Sequence, residues 1–227
     1  KERSTMAAKK LKIAVLISGR GSNLQALIDA CAQEDFPAEI VLVFSNKPTA
    51  KGLERARDAG LATEALDHKS FASRESFDAE VSRIIKQTGA ELICLAGYMR
   101  LLSEDFVKDW RNKLINIHPA ILPAFKGIHV HERALELGVR ITGATVHFVR
   151  VGTDEGPIII QGAVPVLADD TPETLEARVL TVEHKIYPEA VRLIAMGKVR
   201  VVSERVKISG STAEAAEPII VPPPMTG

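Results

Sequence analysis

The chain of 227 residues balances 29 Lys plus Arg against 29 Asp plus Glu, and 46% of it is hydrophobic. Such a composition builds a core, and its neutral balance gives no reason to expect nucleic acid as a partner. No apolar run approaches the roughly 20 residues that cross a bilayer, so no membrane partner and a cytoplasmic location are expected.

Residues 1–5 precede Met6 and read as a remnant ahead of a natural start, so residues 1–10 are set apart as a leader. Residues 11–17 (LKIAVLI) form a continuous apolar run, the pattern of a strand buried on both faces. Ser18-Gly19-Arg20-Gly21-Ser22-Asn23 follows, and residues 24–31 carry apolar side chains at helical spacing. Strand, glycine-rich turn and helix together aim backbone N–H groups at an anion. The glycines stand two apart with no third behind them, which suits a phosphomonoester better than a pyrophosphate; a plain tight turn stays open as the alternative. The unit then repeats: a strand over 39–44, a turn over 45–48, a helix over 52–59 closed by Gly60, and a short strand over 61–66. Phe71, Phe77, Val81, Ile84 and Ile85 predict a helix over 70–86, ended by Gly89. Residues 92–96 read as another buried strand. Behind it, Gly97-Tyr98-Met99-Arg100-Leu101-Leu102 is either a helix start packing on the sheet or the wall of an apolar slot for a flat ring.

Residues 114–117 resemble the end of a further buried strand, but Asn116 and His118 interrupt the apolar run and Pro119 stops it. Two apart in extended backbone, the amide and the imidazole project to one face, near the strand end where open α/β sheets place ligands. Each residue alone is as easily explained by bonds to loop carbonyls. Residues 119–127 must be a loop, 130–137 a helix capped by Gly138, and 141–149 and 157–166 a strand pair, antiparallel. Between that pair lies a polar loop, residues 150–157, with Asp154 inside it. Thr171-Pro172-Glu173 starts a helix that runs to about 194, with Pro188 ending or kinking it. Residues 199–202 read as a last edge strand, and 209–227, rich in Ser, Thr, Ala, Glu and Pro, as a flexible tail. The predicted fold is a single Rossmann-like α/β domain over 11–208: a mostly parallel twisted sheet, helices on both faces, and an antiparallel strand pair in the C-terminal half. Cys31 and Cys94 lack CxxC or metal spacing and are expected as reduced thiols. His129, His131 and His147 also lack ligand spacing, so no metal is expected.

If the loop bearing Asp154 folds over Asn116 and His118, the three side chains divide the work of acyl transfer. The amide N–H stabilises an oxyanion, the imidazole handles protons or adds charge, and the carboxylate orients it. With no Ser or Cys beside them, direct attack by a substrate amine is implied.

ISGRGSN at 17–23, FSNK at 44–47, LAGYMRLL at 95–102, INIHPAILPAFKG at 115–127, TGATVHFV at 142–149, DEGPIIIQ at 154–161 and VEHKIYP at 182–188 resemble phosphoribosylglycinamide formyltransferase, in order and at the expected spacing over about residues 11–200. The resemblance implies catalytic Asn116, His118 and Asp154. It implies that Gly21, Ser22, Asn23 and Glu183 hold glycinamide ribonucleotide. Arg74, Met99, Arg100, Leu101, Leu102, Asn116, Arg150, Val151, Gly152, Thr153 and Asp154 would contact 10-formyltetrahydrofolate, with Arg74 on a carboxylate of its glutamate tail. Small molecules are then the partners, and the assembly is a monomer or homodimer. Ala120 and Arg150 depart from the family pattern, Ala120 by lacking a hydroxyl and Arg150 by standing where a small or acidic residue is expected. Methionyl-tRNA formyltransferase and formyltetrahydrofolate deformylase share the chemistry, but the chain shows neither a basic excess nor the length for their additional domains. A catalytically silent phosphosugar-binding module is the remaining rival, countered by the presence of all three catalytic side chains.

Overall fold

The computed structural model describes residues 9–210 and 219–222; most of the expected leader and tail lies outside the described residues. The chain alternates strand and helix from β1 (Leu11–Ile17) and α1 (Ser22–Cys31) through β2 (Ala38–Ser45), α2 (Gly52–Asp58), β3 (Thr63–Ala65), α3 (Arg74–Gln87) and β4 (Leu92–Leu95). After α4 (Glu104–Asp109) come β5 (Leu114–His118), α5 (Val130–Glu136), β6 (Ile141–Phe148), β7 (Ile158–Pro165) and α6 (Pro172–Ala195). Seven strands form one sheet in the order β3-β2-β1-β4-β5-β6-β7, parallel from β3 to β5 and antiparallel at β6 and β7. The expected α/β domain is therefore present.

Strand alternation divides the core. Ile13, Val15 and Ile17 of β1, with Ile115 and Ile117 of β5, pack on the face covered by α1 and α6. Ala14 and Leu16, with Leu114, pack on the other face against Phe77, Val81 and Ile85 of α3 and Phe106 of α4. A strand buried on both sides has no polar face, which is why these segments read as unbroken apolar runs. The α6 helix is pinned from within: Tyr187, fully buried, donates its hydroxyl to Leu95 O at 2.8 Å, with Ile115 O at 3.4 Å. Cys94 lies beneath it, fully buried, and burial pushes its thiol far above the ordinary range.

Several expectations shift. The α3 helix starts at Arg74 rather than at 70, because Ser73 and Ser76 form a reciprocal capping box after a short 3₁₀ turn at His68–Ser70. Residues 97–103 are not a helix start; α4 begins later, where Ser103 caps it through Phe106 N–H and Asp78 accepts the Ser103 N–H at 2.6 Å. The helix α6 runs on past Pro188. Val199–Val202 (β8) is not an edge of the main sheet but pairs with Arg205–Ile208 (β9) in a separate antiparallel ribbon. Its two-residue turn, Ser203-Glu204, has both φ values positive, at 49° and 56°. Primed turns of that kind are ordinarily marked by Asn or Gly, so Ser-Glu gave no signal.

Candidate active site

Period-two alternation explains the polar interruption in β5. Ile115 and Ile117 enter the core beneath α6, whereas Asn116 and His118 share the opposite face with Leu114. There the helices stop short, and the loop between β6 and β7 covers the gap. The antiparallel register places Asn116 directly opposite His147, and His118 opposite Thr145.

Asp154 does fold back over the pair. Its Oδ2 accepts the Gly127 N–H at 2.7 Å and stands 3.5 Å from His118 Nδ1, while Oδ1 is 4.0 Å from His147 Nε2. It holds a left-handed backbone, φ 50°, in a non-glycine residue, a conformation that costs energy and gathers at functional sites. Gly156 is needed for this return: its φ is 152°, and an added Cβ would stand 2.0 Å from Phe148 O. His118 is 4% exposed, and its Nε2 donates to Phe125 O at 2.8 Å. The carbonyl on one ring nitrogen and the carboxylate beside the other fix the orientation of the ring. The Phe125 carbonyl is itself carried by a loop braced on Thr145, whose hydroxyl donates to Ala120 O at 2.8 Å and accepts the Leu122 N–H at 3.1 Å.

His147 is the residue that sequence reasoning set aside. Burial lowers its pKa, opposed by its bond to Phe148 O and by the Asp154 charge. The neutral ring donates from Nδ1 to Phe148 O at 3.0 Å, leaving the Nε2 lone pair 3.5 Å from Asn116 Nδ2. One amide N–H is thereby held by His147, and the other is left for the cleft. Its cross-strand pairing with Asn116 is set by a register between β5 and β6 that the intervening loop and α5 leave without a local signal.

At the far end, Gly21 adopts φ 76° and opens α1, a ten-residue helix whose first N–H groups have no helical acceptor. The glycines pack this loop against α2: an added Cβ on Gly21 would lie 2.9 Å from Gly52 Cα, and Gly52 N–H donates to Gly19 O at 2.9 Å. Asn23 Nδ2 reaches Glu183 Oε1 of α6 at 3.3 Å, and Asn23 Oδ1 is buried without a partner among the described residues. Burial pushes the Glu183 carboxyl up to about 7, against the Asn23 bond that lowers it.

The formyl transferase family pattern matches residues 11–191. This chain belongs to that family. Phosphoribosylglycinamide formyltransferase of Escherichia coli (strain K12) is 47% identical over 190 residues, 84% of this chain and 90% of that protein. The trifunctional purine biosynthetic protein adenosine-3 of Gallus gallus is 53% identical over 192 residues, 85% of this chain but 19% of the longer one. The chain spans between 14% and 19% of the trifunctional relatives that it matches. In structure, glycinamide ribonucleotide transformylase 1 from Symbiobacterium toebii superposes with a TM-score of 0.88 at 46% identity, covering 91% of this chain and 98% of that one.

The remaining residues expected from the sequence are placed unevenly. Met99, Leu101 and Val151 leave large apolar side chains exposed, while Leu102 packs partly on the α3 core. Arg100 turns inward, its guanidinium 4.7 Å above the Phe77 ring, so only its backbone is offered to a ligand. Arg74 is exposed at the start of α3 and forms no ion pair among the described residues. Arg150 is turned away from the cleft: its guanidinium donates to Glu204 at 2.6 Å, Asn112 Oδ1 at 2.7 Å and Val149 O at 2.9 Å. Gly152 and Thr153 lie in the loop beside Asp154. His129 is exposed and takes the N-cap position of α5 without a capping bond, its ring 3.5 Å from Glu132, and His131 is half-buried in the first turn. Among the described residues no group of three His, Cys, Asp or Glu side chains is arranged to hold a metal ion.

Proposed function

We propose that this chain transfers the formyl group of 10-formyltetrahydrofolate to the amine of N1-(5-phosphoribosyl)glycinamide, a step of purine synthesis. The observation that carries the reading is the convergence of Asn116 and His118, from one strand, with Asp154, from a loop, in a chain that also sets a glycine loop beside Glu183. The names of the relatives support the acceptor and the group transferred; the folate donor is part of the proposal.

The neutral glycinamide amine attacks the formyl carbon, forming a C–N bond and a tetrahedral oxyanion. The free N–H of Asn116 and the protonated His118 stabilise that oxygen. Asp154, anchored by Gly127 N–H, keeps the charge beside His118. The C–N bond to the folate then breaks, and the proton released by the amine ends on the folate nitrogen. Gly21, Ser22 and Asn23 take the phosphate at the α1 N-terminus, with Glu183 contacting the ribonucleotide. Met99, Leu101, Leu102 and the loop through Val151 line the pterin, and Arg74 takes a carboxylate of the glutamate tail. The partners are these small molecules, and the chain acts as a monomer or homodimer in the cytoplasm.

The test is the ultraviolet change of a dideaza analogue of the formyl donor, with and without the ribonucleotide. Deformylation that requires the ribonucleotide supports the transfer. Deformylation without it makes water the acceptor and sinks the proposal.

A further inference from the structure

One motif has no place in the mechanism above: FSNK, at the end of β2. The sheet order reverses between β1 and β4, so the loops leaving these two strands part on opposite sides of the switch point. One becomes the glycine loop, and the other becomes the Met99–Leu102 segment. Ser18 sits where they part, 5% exposed, and it touches both. Its N–H donates to Gly97 O at 3.2 Å and its Oγ accepts the Met99 N–H at 2.8 Å. The single hydroxyl hydrogen is committed elsewhere, to Asn46 Oδ1 at 2.5 Å. Asn46, 1% exposed, is held in turn by His68: its Nδ2 faces His68 Nδ1 at 3.5 Å, and the same nitrogen lies 3.2 Å from Asn46 O. A hydroxyl with its proton fixed on one side keeps its lone pairs aimed at the other, so Asn46 decides where Met99 N–H is received.

We infer that Ser18 and Asn46 are positioning residues, which fix the spacing between the ribonucleotide loop and the donor segment and thereby align amine and formyl carbon. The inference rests on the formyl-transfer reading. Neither side chain is needed to bind a ligand, because the glycine loop is built from backbone and the donor wall from residues 99–102. Loss of the bridge takes away the acceptor of the Met99 N–H and with it the tie that holds this exposed segment to β1, so the segment is free to shift. Both substrates still bind, but out of register, and a misplacement of about 1 Å costs up to about a hundredfold in rate.

The experiment compares kcat with the separately measured affinities of the ribonucleotide and a folate analogue in Ser18→Ala, Asn46→Ala, the double variant and Asn46→Asp. Ser18→Ala and Asn46→Ala are each expected to lower kcat about tenfold or more, with each single-ligand affinity held within about threefold. The double variant loses no more than either single one, since the two act through one contact. Asn46→Asp keeps the acceptor and recovers most of the rate. A kcat in Ser18→Ala within about twofold of wild type, losses that multiply in the double variant, or affinities that fall in step with kcat each overturn the inference. Should Ser18→Ala fail to fold, Asn46→Ala against Asn46→Asp reads the same bridge. A wild-type protein that binds both ligands yet forms no formylated product overturns the transfer reading itself, whereas an active wild type with an equally active Ser18→Ala overturns only this one.

Discussion

The proposed ribonucleotide end, at the tip of β1, is made largely of backbone, whereas the transfer end, beside β5, is made of side chains held by a folded-back loop. At the first, glycines at 21 and 52 let two loops approach until their Cα atoms nearly touch, and the open N–H groups of α1 need no side chain to present them. At the second, every group has a partner that orients it: His147 for Asn116, Phe125 O and Asp154 for His118, Gly127 N–H for Asp154. Backbone sites fail when the chain path changes; side-chain sites fail when one atom is removed.

Substitutions at the two ends should therefore separate cleanly. The largest effect is expected for His118→Ala, a loss of about a thousandfold or more in kcat with little change in ribonucleotide affinity, read by steady-state kinetics beside calorimetry. If ribonucleotide affinity collapses as well, the two ends are not independent. Next comes Gly21→Ala. A left-handed backbone costs an Ala about 1–2 kcal/mol, and the added methyl meets Gly52, so ribonucleotide affinity should fall about tenfold or more while folate-analogue affinity stays put.

Glu183→Gln sharpens the comparison through pH. Burial raises the native carboxyl from its ordinary 4.5 to about 7, so between those values the folded chain holds a proton that the unfolded chain has lost. Stability therefore falls as pH rises through that window and stays lower above it. The Gln variant should lack this decline and be more stable than wild type at pH 8 by on the order of 2–3 kcal/mol in urea titrations. An unchanged pH dependence would mean that Glu183 is solvated in solution. The smallest effect belongs to Glu204→Ala, which frees Arg150 from the β8–β9 turn. Glu204 is exposed, so the loss of stability should be small and fade with added salt. A drop in kcat as large as that of His118→Ala would make the ribbon part of the transfer end.

What the sequence made legible follows the same division. Continuous apolar runs marked β1, β2, β4 and β5, because strands buried on both faces leave no alternation to misread. Asn116 and His118 were visible as polar breaks in such a run, and Asp154 as a carboxylate in a glycine-flanked loop. His147 was not, because a histidine in an alternating strand is unremarkable until its cross-strand neighbour is known. Arg150 was read as a cofactor contact, but its destination depends on Asn112 and Glu204, 38 and 54 positions away. The short α4 and β9 were missed as well: the start of α4 is held by Asp78, 25 positions before Ser103, and β9 follows a Ser-Glu turn that lacks the Asn or Gly by which such turns are read.

The placement of Cys94 has a practical side. The thiol lies on β4 directly under Tyr187, one helical turn beyond Glu183, and neither solvent nor a thiol reagent reaches it while α6 is seated. Its chemical silence is a property of the docked helix rather than of the sulfur. Cys94 is thus a built-in sentinel: its alkylation reports how often α6, and the carboxyl it carries, lifts off the sheet, and its limiting rate at high reagent is the rate of that opening.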